Sequence, residues 1–149
     1  MRELSTSERE ALFSLSSDLD VAPKTLAAEI QFESGWNPQI KNPRSSASGL
    51  IQFMDATARG MGFPGGSAEL VRKFPTVETQ LLGPVRRYLQ MWAPFPTDQS
   101  LFMAVFYPAY RRVRPDKPFP RKVQEANPGI VTVQDYLDHV WSRVGDIEL

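Results

Sequence analysis

The 149-residue sequence contains no cysteine, which excludes disulfides, thiolate nucleophiles and cysteine-ligated zinc or iron–sulfur centres. Its single histidine, His139, leaves too few imidazoles for a histidine-rich metal site and argues against a histidine-based catalytic triad. No apolar run approaches the length of a membrane span, and Met1-Arg2-Glu3-Leu4-Ser5 is followed by polar residues, not by a signal-peptide core. Synthesis in the cytoplasm, or an export segment lying outside this sequence, is therefore expected. Seventeen Lys plus Arg balance seventeen Asp plus Glu, so no global field favours nucleic acid or an anionic membrane. If the chain is an enzyme, its acid/base work falls to carboxylates, with neither a metal nor an organic cofactor expected.

What is present fits one globular domain spanning residues 1–149: 42% hydrophobic, 11% aromatic and 23% charged residues. A chain of this size buries roughly 68–70% of the surface it exposes when unfolded, enough to hide a functional group from water. The apolar period is mostly helical, predicting an α-dominated fold with little or no β-structure. Ser7 with Glu10 reads as a capping box opening a first helix to about Asp18, and Pro23 or Lys24 opens a second that stops at Gly35. Residues 36–48 read as loop, and Gly49 to Met54 as a short extended stretch. Asp55 is placed to cap a helix over Ala56 to Met61, and another helix is expected from Ser67 to Phe74.

Thr76 caps a longer helix with Val77, Leu81, Val85, Tyr88 and Trp92 on one face and a kink at Gly83-Pro84. Asp98 opens the next, with Leu101, Phe102, Val105 and Phe106 inward and Pro108 near its end. Residues 111–128 read as loop. This segment is locally basic: Arg111, Arg112, Arg114, Lys117, Arg121 and Lys122 stand against Asp116 and Glu125. A solvated face is its default reading and a contact with a partner protein the alternative, while few aromatics at base-stacking spacing argue against nucleic acid. Thr132 with Asp135 starts a last helix whose Tyr136, Leu137, Val140, Trp141 and Val144 form a stripe.

One carboxylate is out of place in this pattern. Leu26, Ile30 and Glu33 follow one another at spacings of four and three, so Glu33 projects from an apolar helical stripe. It also sits in the last turn before Gly35, where unpaired carbonyls and the negative end of the helix dipole disfavour a second negative charge. Desolvation and dipole together raise its pKa and favour the protonated form, as a general acid requires. The competing reading is a rim residue, solvated or paired with an arginine such as Arg44.

Glu33-Ser34-Gly35-Trp36-Asn37-Pro38, followed by Ala47-Ser48-Gly49-Leu50-Ile51-Gln52-Phe53-Met54 and Ala56-Thr57-Ala58, resembles the soluble-type lytic transglycosylases. These belong with goose-type lysozymes in the lysozyme-like superfamily. The resemblance runs from about Val21 to Gly62. Further on, Ala104-Val105-Phe106-Tyr107-Pro108-Ala109 is the nearest match to the family's Ala-x-Tyr-Asn-Ala-Gly element, with Phe106 in place of its tyrosine and Tyr107 in place of its asparagine.

The resemblance implies a lysozyme-like fold and cleavage of peptidoglycan strands. The single glutamate, Glu33, protonates the oxygen between N-acetylmuramic acid and N-acetylglucosamine. It then takes the C6 hydroxyl proton as that hydroxyl closes a 1,6-anhydro ring, so one carboxylate suffices where ordinary glycosidases use two. Ser34, Ser48, Gln52, Phe53, Met54 and Tyr107 carry over as substrate contacts, and Tyr136 as the tyrosine beside the acid. Asp55 remains open between a helix cap and a second acid that would make the enzyme a hydrolase, as in goose-type lysozymes. A wall-binding protein without turnover is the alternative from another class. With no export signal in the sequence, the resemblance places the activity at the bacterial wall, in a phage-encoded or virion-carried domain or a module of a larger exported protein. Its partners are then glycan strands and other phage or wall-associated proteins, with no nucleic acid and no membrane span.

Overall fold

The computed structural model describes residues 1–144 and 147–149. The chain is mainly helical, and among the described residues pairing between extended segments is confined to the isolated bridges Lys41–Ser48, Ser48–Phe53 and Pro118–Thr132. In order the helices are α1 (Thr6–Leu19), α2 (Pro23–Ser34), α3 (Asp55–Gly60), α4 (Ser67–Lys73), α5 (Val77–Gln80), α6 (Arg86–Trp92), α7 (Asp98–Phe106), α8 (Arg121–Ala126) and α9 (Val133–Val144).

Helix α2 lies at the centre. Leu26, Ala27, Ala28 and Ile30 have no exposure to solvent, and the helix packs against α1, α7 and α9. Pro23 occupies its first turn and Gly35, at φ 58°, closes its end by donating to the Gln31 carbonyl at 2.9 Å. The expected kink falls at Gly83-Pro84, where residues 81–85 form a widened π-type turn between α5 and α6 with Gly83 outside helical geometry.

Several local expectations are corrected. The first capping box is Ser5 with Glu8, not Ser7 with Glu10: the Ser5 hydroxyl accepts the Glu8 amide and the Glu8 carboxylate accepts the Ser5 amide. Starting there buries Leu4 and joins Glu8 to Arg2 at 2.7 Å, gains the downstream box lacks. Gly49 to Met54 is a tight turn, not an extended stretch, closed by reciprocal bonds between Ser48 and Phe53 at 3.0 and 2.8 Å. Asp55 does not cap α3; its carboxylate accepts from the Ser67 amide and hydroxyl, both at 2.9 Å, and so caps α4 from outside. Helix α7 opens at Asp98 as expected, with Thr97 as its cap; its buried residues are Ser100 to Ala104, while Val105 and Phe106, expected inward, are half-buried. The segment 111–128 is not all loop, because α8 forms behind Pro120 with Phe119 anchored in the core. On α9 the buried stripe is Val133, Tyr136, Val140 and Val144; Leu137 is half-buried, and Trp141 lies 37% exposed at the stripe's edge against Phe102.

The turn after Ser48 is held by Gln80, a fully buried glutamine at the end of α5. Its Oε1 accepts the Leu50 amide at 3.0 Å, and its Nε2 donates to the Pro38 and Phe74 carbonyls at 2.7 and 3.0 Å. Gly49 makes this possible: its φ is +86°, and a Cβ there would stand 2.9 Å from Gln80 Oε1. Gly49→Ala is expected to destabilise the fold by about 2 kcal/mol, from left-handed strain plus the displaced clamp, lowering Tm by roughly 4–8 °C in a thermal melt.

Candidate active site

The face of α2 turned toward α9 carries Leu26, Glu29, Ile30 and Glu33, a run at spacings of three, one and three that places two carboxyls on the same side one turn apart. Glu29 has no exposed surface, and Glu33 is half-buried. Between them stands the hydroxyl of Tyr136, itself without solvent exposure, 2.5 Å from Glu29 Oε1 and 2.9 Å from Glu33 Oε1. The tyrosine ring is fixed by Phe106, stacked at 4.3 Å, and by Phe32, edge-on at 5.2 Å. Among the described residues neither carboxyl forms an ion pair, with Arg44 or with any other cation.

Burial without a counter-charge penalises the ionised form of both acids. Desolvation pushes Glu33 up to about 7, against the opposing effect of its hydrogen bonds to Tyr136 and Glu29. Glu29 is driven well above the carboxylate range by desolvation and by the charge of Glu33. Desolvation and the two acids push the Tyr136 phenol up too, so it remains a donor. At neutral pH, then, Glu33 is half-protonated at the edge of the core, able both to give and to take a proton.

The other residues singled out from the sequence fall into separate groups. Gln52, Phe53 and Met54 come together with Ile51, Thr57, Tyr88 and Val105 around a small cavity of about 40 Å³. Gln52 sits at φ +59° and its amide donates to the Gly49 carbonyl at 3.0 Å. Phe53 is buried edge-on to Tyr88, and Met54 is 46% exposed. Ser34 is buried and donates to the Ile30 carbonyl at 3.0 Å, while Ser48 is buried with its hydroxyl 3.5 Å from that of Ser67. Tyr107 packs edge-on to Tyr110 and Phe119, and Phe119 in turn meets Phe106 at 5.3 Å, so an aromatic chain links it to Tyr136. Asp55 is held by Ser67 and by Arg59 at 3.8 Å, which lower its pKa.

In the basic segment, Arg111 stacks over Trp92 at 4.2 Å and Lys117 over Tyr110 at 5.5 Å, while Arg114 pairs with Asp116. Among the described residues no group of three or more His, Cys, Asp or Glu side chains is placed to hold a metal, and no helix is long and apolar enough to cross a membrane.

Glu29, bonded to Tyr136, and Gln80, which clamps the turn, are the residues that sequence reasoning missed. Glu29 was in fact signalled: it falls three residues after Leu26 and four before Glu33, on the stripe that exposed Glu33 as anomalous.

A central helix ending in a half-buried acid, a tight turn clamped by a buried glutamine and a last helix supplying a tyrosine together define a lysozyme-like architecture. Residues 11–80, a little under half of the chain, match the family described as the transglycosylase SLT domain, so over this segment the chain is similar to the soluble lytic transglycosylases. At the level of that family the activity is lytic-transglycosylase cleavage of cell-wall peptidoglycan. No curated protein sequence matches the chain.

Proposed function

We propose that the protein cleaves the bond between N-acetylmuramic acid and N-acetylglucosamine in peptidoglycan, with Glu33 as sole acid and base. Glu33 donates its proton to the glycosidic oxygen as the bond from that oxygen to C1 breaks. The C6 hydroxyl of the same muramoyl residue then attacks C1, and its proton passes to the Glu33 carboxylate. A 1,6-anhydro end forms, no water is consumed, and the acid returns to its starting state. Gln52 and Met54, on the turn clamped by Gln80, meet the sugar while buried Phe53 backs that turn from the core, and Tyr136 holds the acid in its rotamer.

The observation that carries this reading is a half-buried carboxyl bonded to a buried phenol, with no counter-ion among the described residues, so that desolvation pushes its pKa up to about 7. Such a group suits a reaction that needs donor and acceptor in turn. An inverting hydrolase would need a second carboxylate holding a water; the candidate, Asp55, already receives two bonds from Ser67. Digestion of purified peptidoglycan followed by mass spectrometry tests the proposal. Muropeptides lighter by one water, ending in anhydromuramic acid, are expected. Reducing ends would mean hydrolysis, and binding without soluble products would mean a protein that holds strands and does not cut them.

A further inference from the structure

The acid has a hidden neighbour. Tyr136 carries a single hydroxyl proton yet lies within hydrogen-bonding distance of Glu29 Oε1 and Glu33 Oε1. One phenolic proton serves one acceptor, so the other contact is held by a proton belonging to a carboxyl. The environment assigns that proton to Glu29. Its side chain has no exposure, no ion pair reaches it, and its Oε2 has no hydrogen-bond partner among the described residues. An ionised Glu29 would leave half a negative charge on a bare oxygen in the core, whereas a neutral one leaves only a carbonyl oxygen there.

We infer that Glu29 is a permanently protonated positioning residue, donating to Tyr136 so that Tyr136 in turn donates to Glu33 Oε1 and the transferable proton of Glu33 is confined to Oε2. The chain of bonds then runs in one direction, from the carboxyl of Glu29 through the phenol to Glu33. It persists when Glu33 loses its proton, because Tyr136 still donates to the new carboxylate while Glu29 still donates to Tyr136. Glu29 touches no substrate, since it has no exposed surface. The titratable groups acting on it are Glu33 on α2 and Tyr136 on α9; α1 and α7, which also pack on α2, bring none to it among the described residues. This inference rests on the reading of Glu33 as the acid.

The test uses the full chain and two substitutions of opposite donor capacity. Glutamine at position 29 keeps an N–H that can donate to Tyr136, and leucine does not. Glu29→Gln is expected to retain kcat within about threefold, while Glu29→Leu loses about tenfold or more, the value of one strong hydrogen bond. With its indirect support gone, the Glu33 carboxylate is harder to form in Glu29→Leu, so the alkaline limb of its pH–kcat/KM profile moves upward by about one unit. A residue that only fills space would leave that limb in place.

Independently of turnover, infrared difference spectra at pH 8 are expected to show a protonated carboxyl band in the parent protein that disappears in Glu29→Gln. Loss of activity in Glu29→Gln as deep as in Glu33→Gln, or absence of that band in the parent, would overturn the inference. Activity surviving in Glu33→Gln would instead overturn the catalytic reading, and the infrared result would still report whether Glu29 holds its proton.

Discussion

Replacing Glu33 with glutamine is expected to lower peptidoglycan cleavage by on the order of a thousandfold, the span of general acid–base catalysis by one positioned group. The amide keeps the size of the carboxyl and can still meet the Tyr136 hydroxyl, which lies 2.9 Å from Glu33 Oε1. It has no proton to give at any working pH, so the loss falls on kcat. Substrate affinity is expected to stay within a few fold. Release of soluble fragments from purified peptidoglycan measures the effect, and a retained circular dichroism spectrum separates it from unfolding. In the parent protein the rate is expected to fall as pH rises through about 7, since the proposed cycle begins with Glu33 protonated.

The same chemistry makes the fold itself sensitive to alkali. Both α2 carboxyls have pKa values raised above the usual 4.5. Between 4.5 and about 7 the unfolded chain has released a proton that the folded chain still holds at Glu33, so the unfolded state binds fewer protons and stability decreases as pH rises. The stabilisation is complete below the unfolded value and is lost on passing through the folded one. For Glu33 alone the difference corresponds to on the order of 3 kcal/mol. Glu29 extends the decline to higher pH. Thermal melts are therefore expected to show Tm falling by roughly 6–12 °C between pH 5 and pH 8. Glu33→Gln is expected to make that slope shallower without abolishing it, because Glu29 contributes over the same range, and a Tm constant over this range would contradict the raised pKa values.

Much of the scaffold was legible because its signals are local. Pro23 and Gly35 delimit α2, Thr132 with Asp135 opens α9, and Gly83-Pro84 marks the break before α6, each within a few residues of the feature it controls. Where two local signals competed, as with Ser5 and Ser7, burial of Leu4 and the Arg2–Glu8 pair decided, and neither is visible in a capping pattern. The site divides in the same way. Glu33 could be found because a carboxylate interrupts an apolar stripe. Glu29 interrupts the same stripe, but its meaning depends on Tyr136, 107 residues away. Gln80 carries no local signal at all: a glutamine ending a four-residue helix is unremarkable until three backbone partners from other segments converge on it.

The phenol that gathers the two acids comes from the last helix, 103 residues beyond Glu33. A ribosome that has made α2 has therefore not yet made the part that seals it. Until residues 133–144 dock, neither glutamate has the phenol that bonds it in the folded chain. A chain that ends before α9 therefore lacks the Tyr136 contact to both acids, however complete α2 is.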